Sequence, residues 1–478
     1  MFHQSTGLIY IPSREKQHCW HPGQLLGPKD RIGGKMRAPF DKPNIVFILA
    51  DDLGYADTGY TGQRDIRTPN LDAMARDGIQ FTRAYTGAPV CAPSRCTLLT
   101  GRHTGHARIR GNGVYQLRES PDDICIGDVL KAAGYTTGLI GKSGLSGNID
   151  DGGHPNRKGF DHFVGFVSHA AAHRHYPVTM YKNGKTLPMP GNQGKDGATY
   201  DNTVFLKESL NFIRENAANP FFLHIAPTIP HADLAAPEQF INLYRGKFTE
   251  EQAPAGAYRK TAEPKATYAA MVTYLDHMVG EVLATIRDAG IARNTLVVFA
   301  SDNGAMQEGG YLRKWFQSSG DLRGGKRDIY DGGIRTAQLA WWPGVIPEGS
   351  KTELPTAFWD FLPTVCDLAG AKAPAGLDGI SYAPTLHKRY GRQAMHDVLY
   401  WEFHEMGGRR GVLLDGRWKA IQYGVNVAKQ GDVEVYDTRV DPSEKRDIAR
   451  ERPDLVDAAK RAFARERTAD LEYPFKGE

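Results

Sequence analysis

Two of the chain's five cysteines, Cys91 and Cys96, lie close together in the segment CAPSRCTLLTGR, on either side of a Pro-Ser-Arg sequence. A thiol can serve as a nucleophile, a metal ligand or one half of a disulfide. The cysteines are odd in number and have no metal-ligand spacing, so the sequence indicates neither a disulfide scaffold nor a zinc site. The two thiols beside this turn therefore need another chemical explanation.

Adjacent carboxylates follow the first strongly apolar stretch of the chain. The run Asn44–Ala50 leads directly into Asp51 and Asp52, at the position where open α/β sheets bind their ligands. Two neighbouring carboxylates repel each other unless a cation or hydrogen-bond donors lie between them. For this pair alone, a helix cap or a solvated turn is an equally good interpretation.

A second apolar run, Leu296–Ala300, also ends in polar residues, in the sequence Ser-Asp-Asn-Gly. Two strands would then deliver four oxygen donors to one edge of a sheet. These donors are Asp51, Asp52, Asp302 and Asn303. Oxygen ligands without histidine or thiol favour Ca²⁺ or Mg²⁺ over zinc. The sequence thus predicts a divalent-cation site rather than two unrelated turns.

The elements that must position these groups alternate between strand and helix. Further short apolar runs, rich in β-branched residues, occur at Thr136–Ile140, Phe221–Ala226 and Gln338–Trp342. Helical patterns, with apolar residues every three or four positions, occur at Thr203–Glu215 and Thr267–Asp288. This alternation predicts an α/β fold with a large, mostly parallel sheet flanked by helices.

The C-terminal part of the chain has a different pattern. Short strand-like pieces separated by Gly and Asp turns lie at Val398–Phe403, Gly411–Leu414, Trp418–Tyr423 and Glu434–Tyr436. They predict a small antiparallel sheet, followed by a helix that begins near Pro453. We therefore expect an irregular N-terminal extension at residues 1–41, a main α/β domain at 42–395 and a small α+β subdomain at 396–478.

Composition and charge exclude several classes of protein. The 59 Lys and Arg residues nearly balance the 55 Asp and Glu residues and are interleaved with them, which indicates neither a nucleic-acid nor a membrane-surface partner. No apolar run approaches the ~20 residues of a membrane-spanning helix. The first residues, MFHQSTGLIYIPSREKQHCWHPGQ, lack the apolar stretch of a signal peptide.

With these features together, the sequence resembles the type I, formylglycine-dependent sulfatases of the alkaline phosphatase superfamily, bacterial arylsulfatases among them. CAPSRCTLLTGR is similar to their signature, in which Cys-x-Pro-Ser-Arg precedes a short helix ending in Thr-Gly-Arg. Other motifs follow the expected order between about Lys42 and Asp447, namely ADDLGY, GYTTGLIGK, SDNG, LRGGKRDIYDGGIRT and YDTRVDP. The resemblance implies an alkaline phosphatase-like fold and hydrolysis of sulfuric esters.

The resemblance also implies that a maturation enzyme oxidises Cys91 to formylglycine (3-oxoalanine), whose hydrated aldehyde is the nucleophile. A geminal diol attacks with one oxygen and releases sulfate by collapse of the other, whereas a thiol has no such easy release. Ser94 is then the expected N-cap of the following helix, whose positive end faces residue 91. Cys96 fits a small, buried packing residue.

Further roles are carried over from the family. The implied metal ligands are Asp51, Asp52, the modified Cys91, Asp302 and Asn303, with Ca²⁺ the usual ion and Mg²⁺ less expected. Arg95 is expected to hold the formylglycine in place. Lys142 and Lys326 are expected to bind the sulfate, although each by itself would be an ordinary surface lysine. His231 is expected to bind substrate and to donate a proton to the leaving alcohol, for which an imidazole pKa of about 6.5 is suitable.

One motif departs from the family pattern. Many members carry Gly-Lys-Trp-His-Leu-Gly around the first lysine, and the histidine assists breakdown of the sulfated diol. Here Ser143 and Gly144 replace the tryptophan and the histidine, and glycine cannot take a proton. Branches with glycine there carry an Ala-His segment followed by Tyr-Pro, similar to residues 172–177, so we expect His173 to be the substitute base. Weaker candidates, which would line the cleft or cap a turn, are His103, His106 and His154.

The sequence leaves the substrate open. A phosphate or phosphonate ester hydrolase of the same superfamily is an alternative, as is an impaired homologue that binds a sulfated glycan without turnover. The predicted cleft segments, His169–Pro177 and Tyr400–Arg410, suit a polar substrate such as a sulfated sugar. The second segment contains Trp401, Glu402, His404, Arg409 and Arg410. Family members commonly act in the periplasm or after secretion. The N-terminal residues show no export signal, so the sequence leaves the compartment open.

Overall fold

The computed structural model describes residues 42–113, 116–194, 197–251, 258, 260–310 and 313–476. The predicted N-terminal extension, with Cys19, lies outside these residues. The described residues belong to one compact unit, and the boundary predicted between residues 395 and 396 stays a prediction. Among the described residues, no helix combines the length and the apolarity that a membrane crossing requires.

A mixed sheet of 11 strands forms the central layer. Its strands are β1 (Asn44–Ala50), β2 (Ile79–Tyr85), β3 (Thr136–Ser146), β4 (His162–Ser168), β5 (Thr179–Lys182), β6 (Lys185–Pro188), β7 (Phe221–Ala226), β8 (Thr295–Ser301), β9 (Arg335–Trp341), β10 (Ser350–Thr352) and β11 (Thr356–Ala357). Their order is β10-β2-β9-β8-β1-β7-β3-β4-β5-β6, with β11 beside β2. The central strands β8, β1, β7, β3 and β4 are parallel, whereas β9 is antiparallel to both neighbours. The predicted large α/β sheet is confirmed.

Helices cover both faces of this sheet. They are α1 (Pro69–Asp77), α2 (Cys91–Thr100), α3 (Ile126–Ala132), α4 (Asp201–Asn216), α5 (Glu238–Ile241), α6 (Pro264–Asp288), α7 (Arg313–Phe316), α8 (Asp331–Ile334), α9 (Phe361–Ala369), α10 (Ala383–Leu386) and α11 (Pro453–Arg465). Helices α1, α4 and α6 contribute to the core on one face, and α2, α3 and α9 contribute to the core on the other. Helix α2 packs on the second face, and its first residue, Cys91, lies close to Asp51, which directly follows β1.

Strand β1 shows why a continuous apolar run is needed at the centre of the sheet. Successive side chains of a strand point to opposite faces. Val46 and Ile48 pack in the core formed with α1, α4 and α6, whereas Ile45, Phe47 and Leu49 pack in the opposite core. All five side chains are buried. A strand covered by helices on both faces therefore has few polar positions, and from Ile45 to Ala50 β1 has none before Asp51 and Asp52 follow its end.

A second, four-stranded sheet follows in the chain and is antiparallel throughout. Its strands, in spatial order, are β12 (Val398–Phe403), β13 (Arg409–Leu414), β14 (Trp418–Tyr423) and β15 (Val433–Asp437). Helix α11 packs on this sheet through Leu455, Ala459 and Phe463. Other residues of the small sheet share a core with Tyr85 and Ile329 of the main part. The predicted small antiparallel sheet and its terminal helix are confirmed.

Candidate active site

The carboxyl ends of β1 and β8 bring three carboxylates together. The strands are parallel neighbours with Ala50 opposite Ser301, so the residues that follow them share one edge of the sheet. The Asp302 amide donates to the Ala50 carbonyl (3.0 Å), and the Asp52 amide donates to Oδ1 of Asp302 (3.1 Å). Asp51, Asp52 and Asp302 are all fully buried.

Asn303 adds an amide to this cluster. Its Nδ2 donates to Oδ1 of Asp52 at 2.7 Å. Its Oδ1 is buried and has no hydrogen-bond partner in the part of the chain that the structure describes. A buried acceptor without a donor is costly, and here it lies beside carboxylates. This donor set, composed of oxygen atoms, fits a hard divalent cation.

Cys91 is the first residue of helix α2 and contacts the same cluster. Its Sγ lies 3.4 Å from Oδ1 of Asp51. The backbone is extended at Val90 and already helical at Cys91, so Val90 is the N-cap and the positive end of the helix lies at residue 91. The predicted N-cap role of Ser94 is wrong, because Ser94 lies within the first turn and its Oγ accepts from the Gly87 amide at 3.2 Å.

Two buried lysines each pair with one of the adjacent carboxylates. Nζ of Lys142 lies 2.6 Å from Oδ2 of Asp51, and Nζ of Lys326 lies 2.6 Å from Oδ2 of Asp52. The two side chains are almost completely buried. Neither lysine is an ordinary surface residue, and both ammonium groups point into the oxygen cluster beside residue 91.

Arg95 is the third buried cation, and it explains the glycine at position 144. Its guanidinium donates to Oδ2 of Asp302 (2.7 and 3.0 Å) and to the carbonyl of Lys142 (2.9 Å). Gly144 has φ +70°, and a Cβ atom there would lie 2.8 Å from Cδ of Arg95. A side chain at position 144 would therefore require Arg95 to move. A histidine at that position would need both a left-handed backbone and displacement of Arg95.

These charges shift the pKa values of the carboxyl groups in opposite directions. Burial by itself raises the pKa of Asp51, but Lys142 and Arg95 outweigh burial and hold it well below the ordinary value. For Asp52 burial prevails over the attraction of Lys326, and its pKa rises to about 7. The two adjacent carboxyl groups therefore differ in acidity, because several cations act on Asp51 whereas neighbouring carboxylates add to the effect of burial on Asp52.

A row of imidazole rings forms one side of the site. Nε2 of His231 lies 3.4 Å from Oδ2 of Asp52, and its Nδ1 donates to the carbonyl of Ala232. The ring of His173 stacks on that of His231, with centroids 4.2 Å apart and planes inclined by 16°. His169 meets His173 edge to face at 5.2 Å. The expected acid His231 and the expected base His173 are thus in direct contact.

Burial also shifts the pKa values of the thiol and the imidazoles. The pKa of the Cys91 thiol lies well above its ordinary value because of burial, despite the nearby Lys142. Burial lowers the pKa of His173 to about 3. The pKa of His231 falls well below its ordinary value because of burial and Lys326. Without a substrate these three groups are uncharged at neutral pH, and a protonated thiol is a poor nucleophile.

Two loops that carry the histidines are bonded to each other. His173 follows β4 and His231 follows β7, two strands that flank β3 in the sheet. The Asp233 amide donates to the carbonyl of His173 (3.0 Å). Nε2 of His175 lies 3.1 Å from the carbonyl of His231, and its Nδ1 lies 3.3 Å from Oδ2 of Asp201 at the start of α4. These bonds join the loop after β4 to the loop after β7 and so hold the stacked rings of His173 and His231 in place.

Other residues proposed from the sequence lie elsewhere. His103 and His106 stack on each other beyond the C-terminal end of α2, beside Asp378. His154 accepts from the Asn156 amide and so caps a short 3₁₀ helix, one of the two outcomes expected for it. Cys96 is buried in the apolar core under α2, as predicted.

The prediction that the named residues of the Tyr400–Arg410 segment line the cleft is wrong. Trp401 and Glu402 are completely buried and Arg409 is nearly so. Nε2 of His404 bonds to Glu402 (2.9 Å), and Arg410 lies over the ring of a residue of α11. The strands of the β12–β13 hairpin are enclosed between the main sheet and α11, so these five side chains stabilise the interior rather than meet a substrate. Within the same segment, Glu405 of the hairpin loop does reach the site.

Four polar residues that the sequence analysis did not single out lie around the buried cluster. We call them the polar rim: Asn112, Glu308, Arg327 and Glu405. Each side chain is partly exposed. Position in the chain gave a usable signal for two of them, because Arg327 directly follows Lys326 and Glu308 lies shortly after the Ser-Asp-Asn-Gly motif. Glu405 lies within the predicted cleft segment Tyr400–Arg410, and Asn112 reaches the site only through the fold.

Comparison with known proteins places the chain in a family. A sulfatase family model matches residues 43–371, and a model of the C-terminal region of N-sulphoglucosamine sulphohydrolase matches residues 324–464. The chain belongs to the sulfatase family. This sulfatase is an enzyme that hydrolyses sulfuric esters, and its fold is that of the alkaline phosphatase-like sulfatases.

Relatives and solved structures agree with this assignment. The sulfatase is 32% identical over 414 residues to N-acetylgalactosamine-6-sulfatase of Mus musculus, a match covering 80% of this chain and 73% of the relative. It is 33% identical over 377 residues to arylsulfatase A of Homo sapiens, covering 72% and 68%. The crystal structure of Ps i-CgsB in complex with k-i-k-neocarrahexaose superposes with a TM-score of 0.74 at 27% identity, covering 89% of this chain and 92% of that chain.

Proposed function

We propose that this sulfatase removes sulfate from a sulfated sugar, with residue 91 as the nucleophile after conversion of Cys91 to formylglycine. The observation that carries the proposal is the position of Cys91 at the start of α2, 3.4 Å from a carboxylate of the oxygen cluster. The hydrated aldehyde would supply the attacking oxygen that a protonated thiol does not. The name of the murine relative and the oligosaccharide in the Ps i-CgsB structure support a sugar as substrate.

The same proposal assigns a Ca²⁺ ion to the oxygen cluster. Its ligands would be Asp51, Asp52, Asp302, Asn303 and the modified residue 91. The ion would supply positive charge that offsets the charge developing on the sulfate. The unpartnered Oδ1 of Asn303 supports this set. Ca²⁺ is favoured over Mg²⁺ because it accepts more oxygen ligands in a less regular arrangement.

Lys142 and Lys326 are the proposed sulfate-binding groups. Each ammonium group is buried and lies 2.6 Å from a carboxylate that the cation would engage. Fixed cations in a water-excluded site stabilise a developing anion more strongly than they do in water. Arg95 does not need to touch the sulfate, because its bonds to Asp302 and to the Lys142 carbonyl keep these groups in place.

His231 and His173 are the proposed proton carriers. The bond from Nδ1 of His231 to the Ala232 carbonyl fixes the ring so that Nε2 faces the site. Once Nε2 is protonated as well, in the imidazolium form, it would give that proton to the leaving alcohol. A low pKa makes the protonated form of His231 a strong acid. His173 is the proposed base for release of sulfate from residue 91, since its Nε2 is buried and lacks a partner among the described residues.

The function is tested with 4-nitrophenyl sulfate and 4-nitrophenyl phosphate, using protein co-expressed with a formylglycine-generating enzyme. We expect turnover of the sulfate ester to exceed that of the phosphate ester, and Cys91→Ala to abolish it. Cys96→Ala is the matched control, because it removes a neighbouring thiol that only packs. Preference for the phosphate ester would favour the phosphohydrolase alternative, and binding of a sulfated glycan without turnover would favour the binding protein.

The metal assignment has its own measurement. We expect removal of divalent cations with EDTA to lower both activity and melting temperature. Ca²⁺ is expected to restore both more fully than Mg²⁺ at equal concentration, because binding to the folded state alone raises stability. Equal activity and equal melting temperature before and after metal removal would contradict the proposed calcium site.

A further inference from the structure

The polar rim is connected to residue 91 on one side by two hydrogen bonds. The amide of Ala92, the residue after Cys91, donates to Oδ1 of Asn112 at 3.1 Å. The amide of Asn112 in turn donates to Oε1 of Glu405 at 3.1 Å. Glu405 belongs to the loop between β12 and β13, so the small C-terminal sheet supplies a carboxylate close to the reacting group.

On the other side the polar rim is connected to the sulfate-binding lysine. Arg327 follows Lys326, and its Nη1 bonds to Oε1 of Glu308, which also lies 3.9 Å from Nζ of Lys326. The backbone of Arg327 has φ +75°, which a residue with a side chain rarely adopts. Its amide bonds to Pro89 (2.9 Å) and its carbonyl accepts from Arg409 (2.5 Å). These bonds hold the backbone of Arg327 in place, and the contact with Glu308 directs its side chain.

The polar rim retains unused donors and acceptors. Oε2 of Glu405, Nδ2 of Asn112 and Nη2 of Arg327 make no hydrogen bond to another described residue. The side chain of Arg327 is 35% exposed and interacts electrostatically with both Glu308 and Glu405. A free carboxylate oxygen beside free N–H groups offers the combination that a hydroxyl group needs, since a hydroxyl both donates and accepts.

Rings close to the same reacting groups complete the surroundings. The ring of Tyr258 lies 5.8 Å from that of His231 and 6.0 Å from that of His173. Flat rings provide apolar area at low entropic cost, and the polar rim provides oriented hydrogen bonds. A sugar, which has apolar C–H faces and a polar edge, matches such a mixture better than a flat aromatic alcohol does.

We propose that the polar rim binds the hydroxyl groups of the sugar that carries the sulfate. Glu405 and Arg327 contact the sugar, and Asn112 and Glu308 are positioning residues that orient them. Two carboxylates face one guanidinium in the rim, so it favours uncharged hydroxyl or amide substituents over a second sulfate or a carboxylate on the same ring. This inference rests on the proposed function, because it concerns the alcohol of the ester that the site hydrolyses.

The test compares a sulfated sugar with an ester that has no hydroxyl groups to bind. Values of kcat/KM are measured for Glu405→Ala and Glu405→Gln on N-acetylgalactosamine 6-sulfate and on 4-nitrophenyl sulfate. We expect Glu405→Ala to lower kcat/KM on the sugar at least about 10-fold and on the aryl ester less than about 2-fold, because unpaired hydroxyl contacts discriminate strongly. Glu405→Gln keeps the shape of the side chain and one acceptor oxygen, so it should lower kcat/KM on the sugar less than Glu405→Ala does.

The control is Glu281→Gln, an exposed carboxylate on α6, which should change neither value. If Glu405→Ala lowers kcat/KM equally on both esters, Glu405 has a structural role and the inference is overturned. An unchanged kcat/KM on the sugar would overturn it as well. Turnover of the aryl ester without turnover of any monosulfated hexose or hexosamine would also overturn it. Failure of the unaltered enzyme on every sulfate ester would instead contradict the proposed function itself.

Discussion

Buried charge dominates the site at the scale of single residues. Asp51, Asp52 and Asp302 are balanced by one lysine, a second lysine and Arg95, each within hydrogen-bonding distance of a carboxylate. Removing one member of such a set leaves another charge buried without compensation, which costs far more than losing an exposed ion pair. The same burial keeps water away from the place where sulfate would react.

A histidine outside the site gives a residue-scale prediction for pH dependence. His224 on β7 is buried against Phe47, and neither ring nitrogen has a partner among the described residues. Burial, with a contribution from Arg95, lowers its pKa to about 3. The unfolded chain, with a histidine pKa of about 6.5, binds the extra proton between these two values. Stability should therefore fall as the pH is lowered through this window.

Replacement of His224 by Phe should remove that pH dependence. The unfolding free energy should fall between pH 8 and pH 5 by about 2 kcal/mol less in the variant than in the unaltered protein. The measurement is urea denaturation of both proteins at both pH values. His277→Phe, at a partly exposed position of α6, is the control and should leave the difference unchanged. An identical pH dependence in His224→Phe and the unaltered protein would contradict this account.

At the scale of elements, the strand ends and the start of α2 determine where the reactive groups meet. The apolar runs of β1, β7 and β8 were predictable because strands covered on both faces contain few polar residues. Strand β2 and the β5–β6 hairpin were not predicted, since their sequences mix polar and apolar residues and their pairing is set by distant neighbours. The predicted N-cap of α2 at Ser94 was wrong, because the backbone is extended at Val90 and the helix already begins at Cys91.

The carboxylates and the lysines of the site could be predicted from the motifs around them. The polar rim could be predicted only in part. Glu405 lies in a segment expected to form the cleft, but its contact with Asn112 depends on the β12–β13 loop being brought beside residue 92. The burial of Trp401 and Arg409 likewise depends on how the hairpin packs between the main sheet and α11. Long polar side chains look alike in a sequence whether they face solvent or cross a packed interface.

Restoring the family histidine at position 144 should damage the enzyme. Gly144→His places a Cβ atom 2.8 Å from Cδ of Arg95 and also adopts φ +70°. We expect a loss of about 2–4 kcal/mol in unfolding free energy, from backbone strain and overpacking together, and lower sulfate-ester turnover.

Gly290→His is the matched control for that substitution. Gly290 has φ +72° and open space around its Cβ position, so it tests the backbone cost alone, about 1–2 kcal/mol. Equal losses of unfolding free energy at the two positions would show that Arg95 moves aside at little cost. Increased turnover in Gly144→His would contradict the view that packing disfavours a histidine there.

At the scale of the whole molecule, the small sheet and the sulfate-binding loop are joined by buried ion pairs. Lys419 on β14 pairs with Asp331 of α8 (2.6 Å) and with Glu444 (2.8 Å), and all three side chains are fully buried. Asp331 follows shortly after Lys326 in the chain. The C-terminal sheet therefore helps to place the loop that carries Lys326 and, through Glu405, one side of the polar rim.

Breaking this connection should affect stability and activity together. Lys419→Met leaves Glu444 buried without its cation and removes one of the two cations beside Asp331, which keeps Arg335. We expect a loss of about 3 kcal/mol with a single unfolding transition. Sulfate-ester turnover should fall in the same variant. Lys429→Met, at an exposed loop position, is the control. Two separate transitions, or full activity after the substitution, would show that the small sheet folds and acts independently of the site.

The central claim is that residue 91 acts only after its thiol has become an aldehyde. Samples prepared with different amounts of a formylglycine-generating enzyme should contain different fractions of the peptide that is lighter by about 18 Da at residue 91. We predict that specific activity on 4-nitrophenyl sulfate rises in proportion to that fraction and extrapolates to zero for the unmodified thiol. Activity that is independent of the modified fraction would contradict the account.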